Sequence, residues 1–289
     1  MKLLQKVLLV FAILISIVSL LAYDAFYSAP FRFTIRYETL SSIYIPEQMN
    51  DVSILYFSDL DYGTYMDQTR LNKLINRMNG LSPDVVLFGG DLFDEAVTSI
   101  SNTDIETLTN KLKEIKAPLG KFAVLGDFDY KDTNRLDTIK KILYDSDFEL
   151  LVNQSITVRN EGSQGISIVG LDSQLKGHIN INSAFANVPR TAYAIVVGHE
   201  PNGAKMVPND ITKYYLAGHT HGGQAYWGFG ALYLPEGSQD FLRGKHEING
   251  TFILDITNGV GTTDTDVRFL SNAEIVLYRL EHHAITDPN

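Results

Sequence analysis

A layered α/β domain, with sheets covered by helices, is the fold class this sequence predicts. Three observations predict it. Short apolar β-rich runs alternate with helix-period segments through the first half of the chain, the last third is strand-rich, and nearly every apolar run ends in a polar cluster. Residues 31–40 (FRFTIRYETL) alternate well enough for a half-exposed first strand, and 41–51 reads as a connecting loop. SILYF then runs into Ser58 and Asp59, and Leu71, Leu74, Ile75 and Met78 recur at helical spacing. DVVLF precedes Gly89-Gly90-Asp91, a second helix pattern follows on Ile105, Leu108, Leu112 and Ile115, and FAVL leads to Gly126-Asp127. Leu136, Ile139 and Leu143 mark a third helix. ISIVG precedes Leu171-Asp172, AIVV precedes Gly198-His199, YYLA precedes Gly218-His219, and TFILDIT and EIVLYRL close the chain as strands.

The chain has 289 residues, 45% hydrophobic and 20% charged, enough for a full-sized core. No repeat or linker divides the body, so one domain of about 240 residues is preferred over two. The net charge of −10, with no local basic stripe, disfavours a nucleic-acid partner. With no cysteine, there is neither a disulfide partner nor a thiolate ligand, so any metal must sit on His, Asp, Glu, Asn or backbone oxygen.

Lys2 and Lys6 precede an uncharged apolar run, 7–23 (VLLVFAILISIVSLLAY), and Asp24 follows it. Its 17 residues sit at the short end of a spanning helix and are long for a signal-peptide core. The flanking charges put the N-terminus in the cytoplasm and the body outside. A retained single-pass anchor in the cell membrane is the expectation; a cleaved signal with a secreted body is the alternative, although no clean small-x-small site follows Leu21. The organisation expected is therefore 1–23 anchor, 24–50 first strand and connector, and 51–283 the main body.

Open α/β sheets bind ligands beyond the carboxyl ends of their strands. Those ends deliver Asp59, Asp61, Asp91, Asp94, Asp127, Asp129, His199, His219 and His221. A single Asp there is commonly a turn former or cap. Several gathered carboxylates repel one another by several kcal/mol unless a cation neutralises them. In Gly218-His219-Thr220-His221-Gly222-Gly223-Gln224, two histidines at i and i+2 after a strand can face neighbouring metal ions, and the glycines permit close backbone approach.

Asp59-Leu60-Asp61, Gly90-Asp91-Leu92-Phe93-Asp94, Gly126-Asp127-Phe128-Asp129, Gly198-His199-Glu200-Pro201 and GHTHGGQ follow the order seen in the calcineurin-like metallophosphoesterases. Over 51–280 the chain resembles that family, and within it the bacterial membrane-associated branch similar to UDP-2,3-diacylglucosamine pyrophosphatase-type proteins. The resemblance implies a four-layer β-sandwich flanked by helices, holding two divalent ions that share a bridging carboxylate and hydroxide. Carried over, Asp59 and His221 would bind the first ion, His199 and His219 the second, and Asp91 would bridge.

Three positions depart from the family pattern. Asp61 stands where the family has His, and Asp127 stands where it has Asn; both keep a ligating oxygen and add charge. Phe128 replaces the His that contacts the scissile phosphate and protonates the leaving group, a contribution typically worth about 10²–10⁴-fold. Four carboxylates make the site oxygen-rich and favour hard ions, manganese first, with magnesium, calcium, iron and zinc as alternatives. The function expected is hydrolysis of a phosphodiester or pyrophosphate, lipid- or envelope-linked, with Asp129 or water supplying the proton. A homologue that binds metal but turns over slowly is the second reading. Arg243, in an aromatic loop with Tyr226, Trp227, Phe229, Tyr233 and Phe241, is a candidate phosphate clamp beside Phe128. Asp94, Asp172, Glu200 and Asn202 are expected to make local or supporting hydrogen bonds.

Overall fold

Strand period and helix period segregate the core into layers. In the computed structural model, which describes residues 2–231 and 233–283, twelve strands form two six-stranded sheets packed face to face. The first sheet holds β1 (Thr34–Ser42), β2 (Ser53–Phe57), β3 (Val85–Phe88), β4 (Gly120–Ala123), β5 (Glu149–Leu150) and β12 (Glu274–His282), in the order β1-β12-β2-β3-β4-β5. The second holds β6 (Gln154–Arg159), β7 (Gly165–Gly170), β8 (Ala194–Val197), β9 (Thr212–Ala217), β10 (Gly244–Ile248) and β11 (Phe252–Ile256), in the order β10-β11-β9-β8-β7-β6. β2 to β5 run parallel, as do β7, β8, β9 and β11, so their carboxyl ends lie together.

Alternation decides which layer each side chain enters. Ile54 and Tyr56 of β2, Val85 and Leu87 of β3, Ile195 and Val197 of β8, and Tyr214 and Leu216 of β9 meet between the sheets. Leu55, Phe57, Val86 and Phe88 point the other way, against Leu71, Leu74 and Met78 of α2 (Gln68–Asn79), Leu108 and Leu112 of α3 (Asn102–Lys113) and Ile139 and Leu143 of α4 (Thr133–Asp145). Each of these helices starts on a side-chain cap: Asp67, Ser101 and Asp132 accept the backbone N–H three residues on. The outer face of the second sheet is covered more thinly, by a single helical turn at Ile181–Ala184 and a 3₁₀ segment at Pro201–Lys205.

The first strand starts at Thr34 rather than at residue 31, and it is no detached connector. β1 pairs with β12 over nine residues, from Thr34 opposite Glu274 to Ser42 opposite His282. An ion cluster then joins the two sheets at this edge. Arg36 Nη1 and Nη2 each lie 2.9 Å from an oxygen of Asp255 in β11, and Tyr278 of β12 donates to the same carboxylate at 2.7 Å. Asp255 is fully buried. Arg36→Met should therefore strand a buried carboxylate at a cost of about 3–5 kcal/mol. At roughly 2–4 °C per kcal/mol for a chain approaching this size, calorimetry should show a midpoint lower by about 10 °C. An unchanged midpoint would remove this cluster from the account of stability.

The N-terminal helix α1 (Leu3–Tyr23) buries none of its 21 residues. It is long and apolar enough to cross a membrane, at about 1.5 Å per residue.

Candidate metal centre

Tight turns at the strand ends aim the polar residues inward. Asp59, Asp61, Asp91, His219 and His221 all adopt positive φ, between 50° and 68°, a region that only a few per cent of non-glycine residues occupy. Glycines beside them make room. A Cβ on Gly126 would stand 2.1 Å from Asp91 Oδ1, and one on Gly218 would stand 2.4 Å from Asp59 Oδ2.

The side chains of Asp91, Asp127, His199 and His219 converge, each offering a ligand atom within 4.8 Å of the others. His199 Nε2 lies 3.0 Å from Asp91 Oδ2 and 3.2 Å from Asp127 Oδ1, and His219 Nδ1 lies 3.1 Å from Asp127 Oδ1. Asp59, Asp61 and His221 form an adjoining group: His221 Nε2 is 3.5 Å from Asp61 Oδ2 and 3.9 Å from Asp59 Oδ1, which is itself 3.9 Å from His199 Nε2. All seven predicted ligands thus come together, and all are buried.

Backbone carbonyls decide which ring nitrogens face the centre. His199 Nδ1 donates to Gly89 O at 2.8 Å, and His219 Nε2 donates to Glu236 O at 2.8 Å. Burial opposes charge on these rings, but Asp91 and Asp127 beside His199, and Asp127 beside His219, push both above the usual histidine range; a ring held neutral turns a lone pair toward Asp127. Lone pairs facing a carboxylate oxygen in a buried space are unfavourable unless a cation stands among them. The unsatisfied atoms agree. Asp59 Oδ2, both oxygens of Asp61, Asp127 Oδ1, His199 Nε2 and His221 Nδ1 are buried without a hydrogen-bond partner among the described residues. The residues fit a divalent cation.

Electrostatics points the same way. Burial, with the neighbouring Asp59 and Asp91 charges, pushes the Asp61 carboxyl well above its usual range. Burial pushes Asp91 up to about 8, with His199 opposing and Asp127 reinforcing the shift. Burial pulls His221 down to about 4.

Asp129 has a different place from the one expected. It is fully buried, and its two oxygens accept from the backbone N–H of Asp91 at 3.1 Å, Leu92 at 2.9 Å and Gly126 at 2.9 Å. A carboxylate that accepts from three amides ties two strand-end loops together beside Asp91. Arg243 is also elsewhere. It donates to Leu270 O at 3.0 Å and stacks 4.7 Å over the Tyr226 ring. The cations that line the cleft of about 480 Å³ over Asp127 and His219 are Lys131 and Lys176, with Phe128 and Tyr233 among the other walls. Asp94, Asp172 and Glu200 make supporting hydrogen bonds, Glu200 by accepting from Ser173, Gln174 and Leu175; Asn202 Oδ1 has no partner.

Arg268 was not legible from sequence as a site residue. It is buried and donates to the carbonyls of His221, Asn258, Gly259, Gly261 and Ser271, holding the GHTHGGQ turn against the 258–261 loop.

Because Gly126 touches Asp91 and donates to Asp129, Gly126→Ala should cost about 10–100-fold in Mn²⁺ affinity, measured by titration calorimetry. Unaltered affinity would mean that the Gly126 contact does not shape the ligand set.

Two six-stranded sheets carrying a buried Asp/His centre beyond their parallel strands define a metal-dependent hydrolase. More particularly, the chain belongs to the calcineurin-like phosphoesterase family, whose family model matches residues 52–223. Relatives include the uncharacterized metallophosphoesterase YkuE of Bacillus subtilis, 26% identical over 84% of this chain and 84% of its own length. A transmembrane protein with metallophosphoesterase domain from Danio rerio is 26% identical over 80% of this chain, which spans 53% of that protein. A dimetal phosphatase structure from Danio rerio aligns over 73% of this chain and 88% of its own, at 11% identity and a TM-score of 0.42.

Proposed function

We propose that this protein is a membrane-anchored hydrolase of phosphodiesters or pyrophosphates that works with two divalent ions, manganese preferred. The observation that carries the reading is the convergence of His199 Nε2 and His219 Nδ1 on Asp127 Oδ1, with the Asp59, Asp61 and His221 group beside it. His199, His219 and Asp127 would hold one ion, Asp59, Asp61 and His221 the other, with Asp91 between them. Bound there, divalent ions supply Lewis-acid polarisation of a phosphoryl oxygen and a water acidic enough to attack at neutral pH.

The chain's own residues do the rest. Asp129 fixes the Asp91 and Gly126 loops, and Arg268 fixes the His221 turn. Lys131 and Lys176 on the cleft wall stand beside Glu95, Glu236 and Asp264, so the wall adds no net positive charge to a site whose four carboxylates already neutralise two divalent ions. Phe128 lines the cleft and carries no proton to donate. Substrates with stable leaving groups fit such a site, so a pyrophosphate of the kind cleaved by the UDP-2,3-diacylglucosamine pyrophosphatase-type branch is favoured over an alkyl monoester. Lys2 and Lys6 before the apolar run 7–23, and Asp24 after it, support a cytoplasmic N-terminus with the catalytic domain outside, facing lipid- or envelope-linked esters.

The test is hydrolysis of a chromogenic diester, a chromogenic monoester and a nucleoside diphosphate–sugar, by full-length protein stripped of metal and then supplied with Mn²⁺, Mg²⁺ or Zn²⁺. Manganese-dependent cleavage, strongest on the diester or pyrophosphate, is the expected result. Stoichiometric zinc or iron held tightly by protein purified without added metal would sink the metal assignment. Phe128 favours a second reading, a metal-binding homologue with little turnover, and metal binding without hydrolysis of any of the three would put it ahead.

A further inference from the structure

We propose that residues 226–229 together with Leu270 form a second membrane contact, which lays the catalytic domain on the bilayer that α1 crosses. The proposal rests on reading α1 as a membrane anchor and adds a surface to it.

The end of α1 does not lead into a free linker. Ala25 is buried against Ala225, Val267 and Phe269, and its carbonyl accepts the Arg268 N–H at 2.9 Å. Two turns further on, the Arg70 guanidinium lies 3.9 Å over the Phe31 ring. The domain is therefore clamped at the point where the chain leaves the helix.

Next to that clamp the surface is apolar. The Trp227 ring packs 5.0 Å from Phe269, which packs on the cluster of Ala25, Ala225 and Val267, yet Trp227 remains 62% exposed. Phe229 is fully exposed and Leu270 is 63% exposed. Tyr23 and Tyr27, at the end of α1, are exposed as well. Tryptophan, tyrosine and phenylalanine gathered where a spanning helix ends are the residues that settle at the boundary of headgroups and acyl chains. Arg243 fits this placement. Stacked on Tyr226 and donating to Leu270 O, it stands at the edge of the patch, where a guanidinium would meet lipid phosphates.

The loop that begins in this patch ends at the metal centre. Tyr233 packs edge-on, 5.4 Å from His221, and the Glu236 carbonyl orients His219. A bilayer in contact with Trp227 and Phe229 would thus touch the loop that lines the cleft at Tyr233 and Glu236.

Trp227 is the only tryptophan, so its emission reports on this loop directly. Full-length protein would be reconstituted into phosphatidylcholine–phosphatidylglycerol vesicles, with flotation and resistance to carbonate extraction confirming the anchor. Lipids brominated near the headgroup should then lower Trp227 emission by roughly twofold, with little quenching by aqueous acrylamide. Phe229→Ser combined with Leu270→Ser should restore acrylamide quenching while the protein still floats. Floating protein whose Trp227 is quenched by acrylamide and indifferent to bromolipid overturns the docking surface and leaves the anchor standing. Protein that fails to float overturns both.

Discussion

Replacing Asp91 with asparagine should lower kcat/KM for a chromogenic diester by about 10³-fold or more, the equivalent of several kcal/mol of metal-supplied charge stabilisation at roughly 1.4 kcal/mol per tenfold. Asparagine keeps the shape and still accepts the Phe128 N–H that Asp91 Oδ1 now takes at 3.0 Å, so the fold should survive. It removes the carboxylate that converges with Asp127, His199 and His219 and is proposed above to stand between the two ions. Stability supplies an independent reading. In metal-free protein the folded state holds this carboxyl protonated up to about 8, against an ordinary value of 3.8. The unfolded chain releases that proton sooner, so stability of the apo-protein falls as pH rises between those values. The substituted amide has no such proton to release, and the variant's thermal midpoint in EDTA should match or exceed that of the wild type. With Mn²⁺ the order reverses, because saturating metal stabilises only the protein that binds it, by about 2.7 kcal/mol per site at a hundredfold excess over Kd. Equal destabilisation with and without metal would make Asp91 a structural residue and overturn the metal-centre reading.

How far the sequence disclosed this site depends on what each residue contacts. The candidate ligands were legible because strands β2, β3, β8 and β9 are buried on both faces, read as apolar runs, and lead into Asp or His. The three helices were legible from their apolar spacing. β5, β6 and β10 were missed, and all three lie at sheet edges, where one flank meets solvent and the apolar signal thins; β10 reads GKHEI. The surroundings of Asp129 and Arg268 were not legible for a different reason. Their partners are backbone amides and carbonyls, which carry no side-chain signature in a sequence. Arg243 was drawn to the site by its place after the GHTHGGQ turn, and only the folded loop shows it beside Leu270 instead.

Phe128→His should raise the hydrolysis of esters with poor leaving groups by about 10²-fold, at the lower end of what a positioned general acid contributes. Phe128 lines the cleft, while its backbone N–H is committed to Asp91, so an imidazole there would enter the substrate space without disturbing the ligands. The lower end is expected because the adjacent Asp129 is already held by three amides and is poorly placed to orient the new ring. The gain must depend on the substrate. A p-nitrophenolate leaves without a proton, so its rate should change little, whereas phenyl and alkyl esters should speed up. The dependence of log kcat on leaving-group pKa should therefore flatten in the variant. Uniform acceleration across the series would mean the change acts on binding or metal affinity, and no acceleration with intact Mn²⁺ binding would show that Phe128 is not what limits this site.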